Sequence, residues 1–113
     1  MATTPRTAIA RTRFGDGDVS VELVDLATDD DVLGEIRAAL PEGHGALIED
    51  WHGGDEVAPR LFAALTDELR ALGRRRATRI VRLPDATESA VLRAQGFTEL
   101  RRDGESVTWI LDL

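Results

Sequence analysis

The chain has no cysteine, no lysine and no tyrosine, and its only histidines are His44 and His52. Without cysteine there is no disulfide, no thiolate zinc site and no thiol nucleophile. A histidine-rich metal centre is excluded too, so no metal site is expected. Without lysine there is neither a Schiff base nor a lysine to acetylate; all 14 basic residues are arginine, as codon usage in a GC-rich genome would produce. No apolar run approaches the roughly 20 residues of a bilayer span. The opening segment "MATTPRTAIARTR" lacks the apolar stretch of a secretory signal. The expectation is a cytoplasmic protein with no membrane contact. A net charge of −7 repels phosphate backbones and argues against nucleic acid as a partner.

A length of 113 residues suits one domain with one modest core. Residues 1–8 read as a polar tail and residues 9–113 as the domain. The tail is basic, with no acid before Asp16, and could stay solvated or touch an acidic partner. "IARTRF" (9–14) and "VSVELVDL" (19–26) flank "GDGD", whose turn chemistry predicts a hairpin. Val19, Val21 and Leu23 alternate with polar residues, as in a half-buried strand. Thr28 followed by Asp29, Asp30 and Asp31 offers a helix start. Val32, Leu33, Ile36, Ala39 and Leu40 share a helical face, so a helix ending at Pro41 is expected.

Beyond the loop "PEGHG", "GALIEDW" (45–51) reads as a buried strand. Val57, Leu61, Phe62, Leu65, Leu69 and Leu72 then recur at helical spacing until Gly73. "ATRIVRL" (77–83) is a further strand. Asp85 and Glu88 form a capping box for a short helix, with Val91 and Leu92 as its apolar contacts and Gly96 after it. Phe97 opens a strand to about Arg101, and Asp103-Gly104 turns the chain. The last strand, "SVTWILDL", has Val107, Trp109, Leu111 and Leu113 on one face. The order β-β-α-β-α-β-α-β-β implies a small α/β domain: a mixed sheet with a parallel centre and helices packed on it.

"LRAQGFTEL" and "VTWILDL" resemble the GNAT superfamily of N-acetyltransferases, in which a short helix ending in a Leu-Gly-Phe-like signature feeds a final strand pair. "LFAALTDELRALGRRRATRIVRL" is similar to the family's central helix and following strand, and "GALIEDW" to the strand before it. "VELVDLATDDDVLGEI" is similar to the opening strand and first helix. The resemblance covers roughly three-quarters of the chain and implies a truncated GNAT-like domain. Between Leu40 and Gly45 lies only a short loop, where the family usually places a second helix and two strands. The wall that binds the acceptor substrate is therefore expected to be missing, or built by the N-terminal hairpin or a partner subunit. "DLATDDDVLGEIRAAL" is also similar to anti-sigma-antagonist (STAS) domains, but the "QGF" ending and the terminal hairpin argue against that fold.

The resemblance also implies where a cofactor would bind. "HGGDEV" (52–57) matches the acetyl-CoA pyrophosphate loop, with Gly53, Gly54, Val57 and Ala58 supplying backbone amides and Arg60, one helical turn on, a positive charge. Small residues at a helix start let amides approach an anion. Asp55 and Glu56 oppose that use, since like charges ~4 Å apart cost about 1 kcal/mol in water and several times more when desolvated. The structural alternative is a tight turn in which Asp55 or Glu56 caps the helix.

Glu49 and Asp50 match the region of the family's general base, a role that needs a carboxylate in a closed cleft. Either could instead face solvent or pair with arginine. His52 is a further candidate base, histidine being the side chain that ordinarily titrates near neutrality. Leu92 stands where the family often has a tyrosine acid. Arg74, Arg75, Arg76, Arg79 and Arg82 form a basic run without interleaved aromatics, which reads as a solvated face and not a nucleic-acid patch. Trp51 and Trp109 read as core or interface residues. Two functions follow. One is a degenerate, noncatalytic GNAT-like module with no cofactor that binds a protein partner or itself, a homodimer being expected. The other is an acetyl-CoA-dependent N-acetyltransferase acting on a small amine.

Overall fold

A computed structural model of the chain describes residues 8–28 and 31–113. Most of the expected tail, and the cap residues Asp29 and Asp30, lie outside the described residues. Ala8–Phe14 (β1) and Asp18–Asp25 (β2) form the predicted hairpin across Gly15–Asp18. The turn closes with the Gly15 amide donating to the Asp18 carbonyl, and Gly17 takes a positive φ of 84°. Asp31–Ala39 (β3) and Gly45–Gly53 (β4) follow, then the helix Ala58–Ala71 (α1), the strand Arg76–Arg82 (β5) and the helix Ala86–Ala94 (α2). Thr98–Asp103 (β6) and Ser106–Asp112 (β7) end the chain as a hairpin across Gly104. The sheet has seven strands in the order β1-β2-β3-β4-β5-β7-β6. Only β4 and β5 pair in parallel, at its centre.

The α/β class and the mixed sheet agree with the sequence; the expected helix over residues 28–40 does not. That segment is β3, antiparallel to both β2 and β4. Thr28 ends a short 3-10 turn and its hydroxyl donates to the Asp25 carbonyl, so it caps no helix. Gly34, Ile36 and Ala38 are buried in strict alternation, the period of a strand. A glycine in mid-helix costs about 1 kcal/mol against alanine; here it serves a close approach. The observed order is thus β-β-β-β-α-β-α-β-β. Residues 40–44 form only a loop, as read from the sequence; three strands precede it where two strands and a helix were expected, and among the described residues no α-helix precedes β4.

Both helices pack on one face of the sheet. Val19, Val21 and Leu23 of β2, Ile36 and Ala38 of β3, Ala46 and Ile48 of β4, Ala77 and Val81 of β5, and Val107 and Trp109 of β7 join one apolar core. From α1 it takes Leu61, Phe62, Leu65 and Leu69 of the predicted helical face, and from α2 Val91 and Leu92; Leu72, expected on that face, is the C-cap and is exposed. Phe62 meets Trp51 and Phe97 edge-on, with ring centroids 5.8 and 6.2 Å away. Such pairs add roughly 0.5–1.5 kcal/mol beyond area burial.

Gly34 sets how closely α1 approaches the sheet. A Cβ there would lie 2.8 Å from the His52 carbonyl oxygen, 2.9 Å from Val57 Cγ1 and 3.0 Å from Leu61 Cδ1. At Gly45 an added Cβ meets nothing within 4 Å. In urea denaturation, Gly34→Ala is expected to lose about 1–3 kcal/mol through overpacking, whereas Gly45→Ala should be neutral or gain up to ~1 kcal/mol.

Candidate functional site

The turn after β4 carries the residues matched to the pyrophosphate loop. Gly53 lies opposite Gly34 and has a φ of 149°, a backbone conformation that suits glycine. The amides of Val57 and Ala58 both donate to the Gly54 carbonyl, at 3.0 and 3.1 Å. Those of Arg60 and Leu61 both donate to the Val57 carbonyl at 3.1 Å, and Pro59 has no amide hydrogen. The first turn of α1 therefore satisfies its own donors. Its N-cap is Val57, without a side-chain cap bond, so neither acid of the turn holds that position. The Glu56 carboxylate lies over Gly54: a Cβ on residue 54 would be 2.7 and 2.9 Å from its two oxygens.

Gly53 and Gly54 are exposed, whereas Val57 and Ala58 are buried. The Arg60 guanidinium donates to the Ala8 carbonyl, 3.1 Å away at the start of β1. The turn thus keeps Gly53 and Gly54 on the surface, draws Val57 and Ala58 into the core and ties Arg60 to a different strand.

The second feature is a divergence within the sheet. Parallel pairing runs from Gly45 opposite Arg76 to Ile48 opposite Arg79 and then stops, although β4 continues to Gly53 and β5 to Arg82. A bulge at Glu49 marks the same point, since Ala38 faces Ile48 while Arg37 faces Asp50. Arg79 Nη1 donates to the Glu49 carbonyl at 2.7 Å and to the Ile48 carbonyl at 3.4 Å. Its Nε donates to Glu88 Oε2 at 3.0 Å and its Nη2 to Glu88 Oε1 at 3.3 Å. Trp51 Nε1 donates to the same carboxylate at 2.9 Å. The Arg79 and Glu88 side chains are only 14% and 8% exposed. Glu88 is held there by α2, whose N-cap Asp85 accepts the Glu88 amide at 2.7 Å; this is one half of the predicted capping box, the Glu88 carboxylate being turned to Arg79 and Trp51.

Sequence reasoning missed this network. Its signal was Arg79, a charge between the inward-facing Ala77 and Val81 of an alternating strand; such a charge needs a buried partner. The solvated-face reading of the arginine run therefore fails at Arg79. It fails at Arg74 too, whose guanidinium donates to the carbonyls of Pro41, Gly43 and Gly45 and closes the β3–β4 loop against the end of α1.

A cavity of about 490 Å³ opens beside the divergence, lined by Leu47, Ile48, Glu49, Arg79, Ile80 and Arg82. Glu49 faces it. Asp50 is exposed and pairs with Arg37 at 3.0 Å. His52 is exposed, with Glu35 opposite on β3. Leu92 is fully buried in the core. Among the described residues no cluster of acids and histidines has the makings of a metal site, and no helix is long and apolar enough to cross a membrane.

No protein-family model matches the sequence, and no curated protein matches it. Similarity appears at the level of the fold. The PaiA N-acetyltransferase of Thermoplasma acidophilum, solved with coenzyme A, superposes with a TM-score of 0.73 at 11% identity, covering 86% of this chain and 62% of its own. The GNAT domain of S. lividans PAT gives 0.73 at 18% identity, covering 86% and 61%. The N-acetyltransferase PseH of Campylobacter jejuni gives 0.72 at 11% identity, covering 87% and 70%. The chain thus spans less than two-thirds of the first two.

Breaking the buried pair should cost far more than breaking a surface one. Glu88→Ala is expected to lose about 3–5 kcal/mol by stranding Arg79, against at most ~1 kcal/mol for Asp50→Ala. The combined change Arg79→Met with Glu88→Leu should recover part of the loss. Chemical denaturation of the three variants measures this.

Proposed function

We propose that this chain, which has the fold of the GNAT superfamily, is a noncatalytic protein-interaction or oligomerisation module that does not use acetyl-CoA. The single observation carrying this reading is the closed turn at residues 53–58. A pyrophosphate needs amide donors aimed outward and a site free of negative charge. Here the first turn of α1 spends its donors on the Gly54 and Val57 carbonyls, and the Glu56 carboxylate already covers Gly54. The residues present do not fit the cofactor's phosphates. Arg79, bound to the Ile48 and Glu49 carbonyls where β4 and β5 part, supports the same conclusion: it takes backbone acceptors that an extended ligand would need.

A second reading is an acetyl-CoA-dependent N-acetyltransferase acting on a small amine, with Glu49 or Asp50 as base. The cavity beside Glu49 favours it, as does the coenzyme A complex of the Thermoplasma acidophilum structure. Against it stand the buried Leu92, which cannot donate a proton, and the pairing of Asp50 with Arg37.

Calorimetric titration separates the two. The module reading expects no saturable heat with acetyl-CoA, corresponding to a Kd above ~1 mM, or binding weaker than about −4 kcal/mol. A micromolar Kd would overturn it.

A further inference from the structure

The sheet face turned away from α1 and α2 is not uniform. Its β1–β4 part carries charges in pairs: Arg11 and Arg13 both reach Glu22, at 3.3 and 3.6 Å, and Arg37 reaches Asp50. The part built from β4, β5 and β7 has one such pair, Arg76 with Asp112 at 3.2 Å, at the end of the strands, and an uncharged row beyond it. There Leu47 lies opposite Thr78, Thr78 opposite Ile110, and Ile80 opposite Thr108. These neighbouring residues are all uncharged in a chain that is 31% charged. Leu47 and Ile80 remain 38% and 45% exposed, and the cavity opens between them.

We propose that this β4–β5–β7 half-face docks a second copy of the same chain, two sheets stacking face to face about a two-fold axis. The proposal rests on the interaction-module reading and names its surface and partner. Three observations select a second copy. First, the surface is a row of Leu, Ile and Thr on strands, which packs against a like surface about 10 Å away, as in β-sandwiches. Second, its margin carries both signs: exposed Glu49 and Arg82 border the same cavity. A two-fold axis lets Glu49 of each copy meet Arg82 of the other, which a partner of single-sign charge could not match. Third, with a net charge of −7 two copies repel over most of their surface, and an uncharged patch is where they approach at least cost. Each copy offers both the protruding Ile80 and the depression beside it, so the surface complements itself.

Sedimentation equilibrium on the full chain should give a dimer. Ile80→Arg, at the patch centre, should weaken it by about 100-fold or more with the circular dichroism spectrum and melting temperature retained. Leu100→Arg, at a more exposed apolar residue on the edge strand β6, should leave it intact. Glu49→Arg and Arg82→Glu should each weaken the dimer and together restore it. A monomer at millimolar concentration overturns the proposal, as does a dimer broken by Leu100→Arg and untouched by Ile80→Arg. Acetyl-CoA binding by an Ile80-dependent dimer would overturn the noncatalytic reading and leave this surface standing.

Discussion

At the centre of the sheet two parallel strands part, and a buried ion pair makes that parting tolerable. Beyond Ile48 and Arg79 the strands β4 and β5 no longer bond to each other, so backbone groups there need other partners. Arg79 supplies donors to two carbonyls, Glu88 neutralises Arg79, and the Trp51 indole completes the carboxylate's bonds. Removing two charges from water costs several kcal/mol per ion, offset only when geometry and hydrogen bonds are complete. Here the guanidinium divides its donors between a carboxylate and two carbonyls, so both requirements are met by one side chain.

Much of the tertiary arrangement hangs on that network. Glu88 fixes the start of α2 against the sheet, and Trp51 brings β4 into edge contact with Phe62 of α1, which in turn meets Phe97. Trp51, just past the point where the strands part, thus links the first turn of α2 to α1. At the turn Gly54–Ala58 the amides of Val57 and Ala58 likewise donate to a carbonyl of the protein, that of Gly54.

The sequence was legible where one period dominated. Val57 to Leu72 could only be an amphipathic helix, and Asp85 capped α2 as its spacing from Glu88 implied. Legibility failed at residues 31–39, where the apolar residues fit a helical face and an alternating strand equally well. An acidic run at 29–31 tipped the reading towards a helix, while Gly34 favoured the strand. The choice was made by β2 and β4, which flank the segment and satisfy its backbone on both sides. The candidate site was half legible: the glycines and acids of the turn could be read, but the direction of its amides could not.

The sequence by itself determined the α/β class, the positions of both helices, the terminal hairpins and the unfavourable charge of the 53–58 turn. These follow from local periodicity, capping and turn chemistry, which act over a few residues. Only the tertiary structure decided that residues 31–39 form a strand, that Arg79 meets Glu88 and Trp51, and that Leu47, Thr78, Ile80, Thr108 and Ile110 form an uncharged row on the open face. Those outcomes depend on residues 9 to 37 positions apart in the chain, and on a register that places every second side chain of a strand on the same face. Neither is encoded in any short stretch of sequence.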